Sequence, residues 1–292
     1  ISGMPLHGMY SLNKILWFKQ NQPDVFAKAH RFHCYEDFVQ LRLGLDPIMS
    51  NSLAARTMAL DARKGDWSQE LLDIAGVPRE KLPRTAQSGT VVGTISDTVA
   101  DEIGLPRDVV VSTGGHDQPA GALGAGILES GEAVYATGTV DCICPIYKTY
   151  SVTEQTVAGN LCCYPSCVPG LFASIAFNFT GGSLLKWYRD NFAAEERKEA
   201  DAAGKDVYEI LCDHIPAKPE KLLILPHFTV TGTPHFDTAS RGAILGLTLN
   251  TTRHELVSAV LSGVTYEMKL NLEMLQSAGV GISRLRAIGG GA

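Results

Sequence analysis

The sequence contains no apolar run approaching the roughly 20 residues that a helix needs to cross a bilayer, which argues against a membrane protein of that kind. Its first ten residues, ISGMPLHGMY, lack the charged-then-apolar order of a secretion signal. Charge is sparse: 19% of residues are Asp, Glu, Lys or Arg, and the net charge is -6. The lysines and arginines are scattered and form no stripe, so a nucleic-acid footprint is missing and any anionic ligand must be held by local groups. A GxxxxGK[ST] loop and a GxGxxG fingerprint are both missing, which counts against P-loop enzymes and nicotinamide dehydrogenases. There is no disulfide framework either. The 7 cysteines are odd in number and unevenly spread, in a chain too long to need staples, so a reducing cytoplasm fits best. In that compartment the sequons Asn178-Phe179-Thr180 and Asn250-Thr251-Thr252 have no glycosylation to receive.

What is present is ordinary globular material: 292 residues, 45% of them hydrophobic, enough to bury the cores of two domains. The chain opens on Ile1 and stops at Ile288-Gly289-Gly290-Gly291-Ala292, a strand running into a glycine turn, and is expected to be an excerpt of a longer protein. Helical spacing of Ile15, Leu16 and Phe18, of Val25, Phe26 and Ala29, and of Phe38, Val39 and Leu41 predicts two or three amphipathic helices over 12–43, broken by Pro23. A short helix is expected over 67–75, then β structure over 90–96, then a buried strand over the β-branched run 108–113. After Gly126 the composition changes. A hairpin is expected over 133–137 and 141–146, one strand over 171–179, and a helix over 183–192. Thr252 and Glu255 form a capping box that opens a long helix with Leu256, Val260, Gly263, Val264, Leu270 and Met274 on one face and Gly279 as its terminal cap. The alternation of strand and helix in this half is that of α/β folds, and a domain boundary is placed near 126–132.

The sharpest constellation is Gly114-Gly115-His116-Asp117-Gln118-Pro119, directly after the 108–113 strand and at the start of a helix over 120–124. In α/β sheets the carboxyl end of a strand is where ligands bind. Glycine lets the backbone approach a ligand, a carboxylate can take a proton, and a Gln amide can both donate to and accept from a hydroxylated molecule. The helix N-terminus favours the ionised Asp117 that a base must be. An aspartate here can equally be a helix cap, and a histidine such as His116 can be merely packed; the spacing does not separate these readings.

Three glycine turns also come after strands: Thr137-Gly138-Thr139, Thr180-Gly181-Gly182-Ser183 and Gly289-Gly290-Gly291-Ala292. Each could set backbone N–H groups, or a helix N-terminus, against a phosphate or a base, although tight turns use glycine for steric reasons alone. The cysteines Cys142, Cys144, Cys162, Cys163 and Cys167 lack the paired CxxC spacing of structural zinc, so no metal site is expected from them.

The order of these motifs resembles the FGGY carbohydrate kinases, through nearly the whole chain. Asn13-Lys14-Ile15-Leu16-Trp17 is similar to that family's lysine and tryptophan helix, Ala55-Arg56-Thr57-Met58 to a strand before its WD-type segment, and Gly115-His116-Asp117-Gln118 to its substrate and base motif. Ser240-Arg241-Gly242-Ala243-Ile244-Leu245-Gly246-Leu247, followed by His254 to Leu261, is similar to its second signature, with Ser262 where an acidic or amide residue is favoured.

The resemblance implies an α/β, actin-like (ribonuclease H-like) ATPase fold with two domains flanking a cleft. Residues 1–126 would be the C-terminal part of the sugar-binding domain and 132–292 most of the nucleotide-binding domain. It implies phosphorylation of a small sugar or polyol by ATP with Mg2+. Asp117 would be the general base. Gln118, His116 and Met9 would contact substrate, and Gly138, Thr139, Gly182, Lys186, Gly290 and Gly291 would contact the nucleotide. No nucleic-acid or membrane partner is implied; a homodimer stays open. From a different class, an actin-type nucleotide-binding scaffold or an inactive sugar-binding pseudokinase would keep the fold without needing the base. The family's Asp-x-Gly-Thr phosphate loop occurs nowhere in the chain. These 292 residues alone are therefore expected not to release ADP from ATP and a sugar, and robust ADP production by them in a coupled assay would contradict that expectation.

Overall fold

The structure is a computed structural model, and it describes residues 1–213, 215 and 221–292. The chain folds into two compact units, one of residues 1–132, 145–153 and 162–174, the other of residues 133–144, 154–161 and 175–292.

The first unit opens with helices Ser11–Asn21, Pro23–Lys28 and Tyr35–Arg42, separated at Gln22-Pro23 as the proline implies. Strand Ile48–Ser50 runs parallel to Arg84–Ala86, and helix Asn51–Ala55 leaves its end at once. Ser50 caps that helix by accepting from the Leu53 amide at 3.4 Å, and Ala54 and Ala55 are fully buried. The strand expected over Ala55-Arg56-Thr57-Met58 is instead this helix's end and a turn. The small buried residues favour close helical packing, and Met58 stands at φ 72, where a strand cannot continue. The expected short helix is Gln69–Ala75, begun by Ser68, with Gly76 ending it at φ 58.

Among the described residues strand Val110–Ser112 pairs only with Val91–Thr94, in a two-stranded ribbon. It is not the buried strand that its composition suggests: Val110 is 60% exposed, because a two-stranded ribbon leaves much of its surface uncovered. The strand then leads, as anticipated, into a glycine loop and helix Asp117–Gly124. The helix begins two residues before the point Pro119 suggested. A proline in the first turn loses no intrahelical bond, since the first four amides have no partner within the helix.

In the second unit Arg284–Ile288 pairs with Glu132–Ala136, which pairs with Asp141–Tyr147. The single strand expected over 171–179 is two pieces: Phe172–Ala173, which belongs to the first unit and pairs antiparallel with Tyr147 and Ile146 there, and Ala176–Asn178, which belongs to the second and pairs antiparallel with residues 141–143. Pro145 explains the break: its carbonyl accepts from Ser174 at 3.2 Å, but it has no N–H to return. Helix Gly182–Phe192, strand Leu223–Leu225 and helix Arg253–Ser277 then build one core from Leu184, Leu222, Ile224, Ala259, Val260 and Val264. Gly263 lets the long helix lie against that strand, since a Cβ there would meet the Ile224 carbonyl oxygen at 2.5 Å.

The face of the long helix differs from the apolar pattern. Leu270 is 41% exposed, whereas Glu267 and Asn271 are buried. Asn271 accepts from Thr233 Oγ1 at 2.5 Å and donates to the Glu267 backbone carbonyl at 2.9 Å, so its own amide meets its needs inside. No helix among the described residues is long and apolar enough to cross a membrane.

The capping box is present: the Glu255 amide donates to Thr252 Oγ1 at 3.3 Å, and the Thr252 amide donates to Glu255 Oε2 at 2.6 Å. Thr252→Ala is expected to cost about 1 kcal/mol, read as a lower urea midpoint at unchanged slope.

Candidate functional site

The Gly114 to Gln118 segment is positioned by side chains far from it in sequence. Glu36, on helix Tyr35–Arg42, accepts from the Gly114 amide at 2.7 Å, and its other oxygen accepts from the Ser50 amide at 3.1 Å and the Ser50 hydroxyl at 2.9 Å. Burial pushes the Glu36 carboxyl above the usual carboxylate range, and these three donors pull it back. Ser52 Oγ accepts from the His116 amide at 3.1 Å. Gly115 is required for packing: a Cβ there would meet Cys167 Sγ at 2.3 Å and Ser52 Oγ at 2.9 Å. Gly114 is the more open of the two, with only Glu36 Oε1 nearby at 3.8 Å.

Asp117 is the first residue of helix Asp117–Gly124, and the N-cap is His116, which makes no side-chain cap bond. The Asp117 carboxylate is therefore not spent on capping. Its side chain is 80% exposed, and its partner is His116 Nε2 at 3.3 Å. The other imidazole nitrogen, Nδ1, lies 3.1 Å from the hydroxyl of Tyr164. Burial holds His116 down to about 4, helped by the positive Arg56 and opposed by Asp117, so the ring is neutral near pH 7. The Arg56 guanidinium lies over the Tyr10 ring at 4.9 Å and the Tyr164 ring at 5.7 Å. Arg56 also reaches Met9 Sδ at 3.8 Å. Lys14 donates to the carbonyls of Gly8, Met9 and Tyr10, which fixes the backbone beneath Met9. Gln118 is half-buried beside Asp117. Met9, His116, Asp117 and Gln118 thus all belong to the first unit, and Met9 and His116 are bridged by Arg56 and Tyr164.

In the second unit the three glycine turns come together. The Gly182 amide donates to the Gly138 carbonyl at 2.7 Å, the Gly181 amide to the Thr139 carbonyl at 3.1 Å, and the Thr137 amide to the Ile288 carbonyl at 2.8 Å. Asp141, buried beneath them, accepts from the Tyr135 hydroxyl at 2.7 Å and from the Gly138 amide at 3.4 Å. Burial raises its carboxyl, with Tyr135 the chief influence in the other direction. Close approach sorts the glycines. A Cβ on Gly182 would meet the Gly138 carbonyl oxygen at 2.7 Å and one on Gly291 would meet Thr137 Oγ1 at 2.7 Å, whereas Gly290 has nothing within 4 Å. Gly138 is nearly as open, with only the Val140 carbonyl near, at 3.8 Å. Gly182 and Gly291 hold the turns against one another, and Gly138 and Gly290 are the glycines that face open space. The first amides of helix Gly182–Phe192 serve this latch. Lys186 is turned along its own helix to Asp190, at 2.6 Å.

Sequence reasoning did not find Glu36, Ser52, Tyr164 or Asp141. Glu36 and Gly114 are 78 residues apart, and Tyr164 and His116 are 48 apart, so no local spacing could have joined them. Among the described residues no group of three or more His, Cys, Asp or Glu side chains could hold a metal ion. A Mg2+ that travels on nucleotide phosphates needs one or two carboxylates and no such cage.

Comparison with known proteins agrees across the chain. Residues 1–124 match the N-terminal domain, and residues 133–292 the C-terminal domain, of the FGGY family of carbohydrate kinases. The chain is 28% identical to a xylulose kinase of Lactococcus lactis over 97% of its own length and 54% of that protein's. It is 25% identical to a gluconokinase of Bacillus subtilis over 99% of its length and 56% of that protein's. The crystal structure of xylulose kinase from Rhodospirillum rubrum superposes with a TM-score of 0.85 at 25% identity, over 99% of this chain and 57% of that one. The chain therefore spans about half the length of the curated relatives it matches, and its fold is the α/β, actin-like ATPase fold of these kinases.

Gly182→Ala is expected to destabilise the second unit by about 1–3 kcal/mol, because the carbonyl of Gly138 is backbone and cannot yield cheaply. Gly290→Ala is expected to change stability by less than about 0.5 kcal/mol, as for a surface position. Urea unfolding of the two variants beside the parent checks both.

Proposed function

The chain belongs to the FGGY family of carbohydrate kinases, and on that premise we propose that it is part of an enzyme that transfers a phosphoryl group from ATP to a hydroxyl of a small sugar or polyol. Residues 1–126 supply the sugar-side groups and 132–292 the nucleotide-side groups. One observation carries the reading: Asp117 presents a largely exposed carboxylate at a helix start, engaged by one imidazole and, among the described residues, by no backbone amide. An aspartate built only to cap the helix would have accepted from those amides.

Asp117 takes the proton from the substrate hydroxyl as that oxygen bonds to the γ-phosphorus. The bond to the β,γ-bridging oxygen breaks, and ADP leaves with the electron pair. Gln118 can donate to and accept from the sugar's other hydroxyls, and Met9 offers it an apolar contact. On the nucleotide side the open backbone at Gly138 and Gly290 suits close approach of phosphate or adenosine. Thr139, Gly182, Lys186 and Gly291 shape or flank the same turns. Mg2+ bound with ATP would neutralise charge on the phosphates during transfer.

The acceptor is proposed to be a polyhydroxylated compound of five or six carbons, by the company of xylulose kinases and a gluconokinase among the relatives. Few side chains separate such acceptors, so a panel of pentuloses, sugar acids and polyols is the appropriate screen. A cytoplasmic setting, where ATP is supplied, suits the reaction.

In the whole protein, Asp117→Asn is expected to lower ADP release about 100- to 10,000-fold with the best acceptor. A mutant rate near that of the parent would reassign Asp117 to structure.

A further inference from the structure

The loop that leads into Asp117 is held by two acceptors, and what they do for the reaction rests on the reading of Asp117 as the base. Glu36 Oε1 accepts from the Gly114 amide at 2.7 Å, and Ser52 Oγ accepts from the His116 amide at 3.1 Å. These two amides stand on either side of Gly115, whose own position is tight: a Cβ there would meet Cys167 Sγ at 2.3 Å. Asp117 follows His116 as the first residue of its helix. The acceptors come from different elements, Glu36 from helix Tyr35–Arg42 and Ser52 from helix Asn51–Ala55. Ser50 joins them behind the loop. Its amide and hydroxyl donate to Glu36 Oε2 at 3.1 and 2.9 Å, and its hydroxyl lies 3.5 Å from that of Ser52. Ser50 and Ser52 are fully buried, so the frame behind the loop is packed core. The loop supplies no such restraint itself, because glycine has the widest backbone freedom of any residue and two adjoin here.

We propose that Glu36 and Ser52 are positioning residues for phosphoryl transfer: they clamp the backbone at Gly114 and His116, and so set where helix Asp117–Gly124 begins and where its first residue stands. Their role needs no contact with substrate, since both act through the main chain of the loop. A base must come within hydrogen-bond reach of one particular hydroxyl, and a displacement of about 1 Å can cost about 100-fold in rate. The Asp117 side chain is 80% exposed, so packing does not place it and its position depends on the backbone that bears it. The helix alone does not fix that backbone. Its first four amides have no partner within the helix, and helix ends fray. Glu36 suits the task better than a neutral group would, because its two oxygens serve the loop and Ser50 at once.

Kinetics and hydrogen exchange on the whole protein test this. Glu36→Met keeps the length of the side chain and removes both acceptor oxygens, whereas Ser52→Ala removes the acceptor for the His116 amide. Each is expected to lower kcat about 10- to 100-fold with the KM for ATP unchanged. In an Asp117→Asn background neither is expected to lower kcat further, since a clamp that acts through Asp117 has no base left to place. An equal loss in both backgrounds, or a kcat near that of the parent in either single variant, overturns the proposal. Amide exchange over residues 113–117, followed by mass spectrometry, is expected to quicken about tenfold or more in Glu36→Met while helix Arg253–Ser277 exchanges as in the parent. Unchanged exchange in the loop likewise overturns it. If Glu36→Met fails to fold, Ser52→Ala decides by the same cycle. If instead Asp117→Asn by itself turns over normally, the base reading fails and the clamp's role with it. Failure of the clamp alone is distinguishable, because Asp117→Asn then remains slow.

Discussion

Much of the first unit's chemistry hangs on one half-buried carboxylate. Glu36 receives the Gly114 amide on one oxygen and both the amide and hydroxyl of Ser50 on the other. Those three bonds join a helix, the end of a strand with the helix it starts, and the loop that carries His116 and Asp117. Removing a carboxylate from water is expensive, and burial does raise this one above its ordinary range. The cost is offset because a carboxylate has acceptor capacity for several donors at once, which no neutral side chain of its size can match. The loop itself contributes little that could hold it. It consists of two glycines, one packed against Cys167 and Ser52 and one open, so its conformation must be imposed from outside.

The second unit repeats the device with a different carboxylate. Asp141 lies under the turn at Gly138, accepts from Tyr135 and from the Gly138 amide, and would be struck by a Cβ on Gly181. In both places glycine supplies the room for two backbones to meet, and a buried acid fixes where they meet. The glycines in such a site then fall into two kinds. Some, such as Gly115 and Gly182, are there because protein occupies the space a side chain would need. Others, such as Gly114, Gly138 and Gly290, leave the space empty, and these are the positions at which a ligand can come close to the main chain.

That distinction marks how far the sequence could be followed. Capping at Thr252, the helix end at Gly279 and the glycine loop before Asp117 were legible because each is decided within a few residues. So was the family, since the order of several short motifs is far more specific than any one of them. Strand continuity over 171–179 was not legible: the interrupting residue, Pro145, lies on the opposing strand. The burial of Val110 was misjudged because β-branched composition reports fitness for a sheet and says nothing of how many faces will be covered. The exposed Leu270 and buried Glu267 and Asn271 reverse the apolar pattern of their helix. Their partners Thr233 and His227 lie in a loop some thirty to forty positions earlier, and a helical wheel cannot see them. The same limit hid Glu36, Tyr164 and Asp141.

An exposed Asp117 and a buried Tyr164 are two ends of one requirement. A group that exchanges protons with a ligand has to be reachable, which denies it the packing that orders core side chains. Its orientation must come through a neighbour that is itself packed. His116 meets both demands: one nitrogen faces the reachable carboxylate, the other faces a fully buried hydroxyl, and the ring between them is nearly enclosed. The hydrogen bond to Tyr164 anchors the ring, and it does not depend on a charge on the imidazole, whose proton affinity burial has lowered well below neutrality. A neutral ring sets no positive charge beside Asp117, the carboxylate to which the proposed proton abstraction from a sugar hydroxyl is assigned.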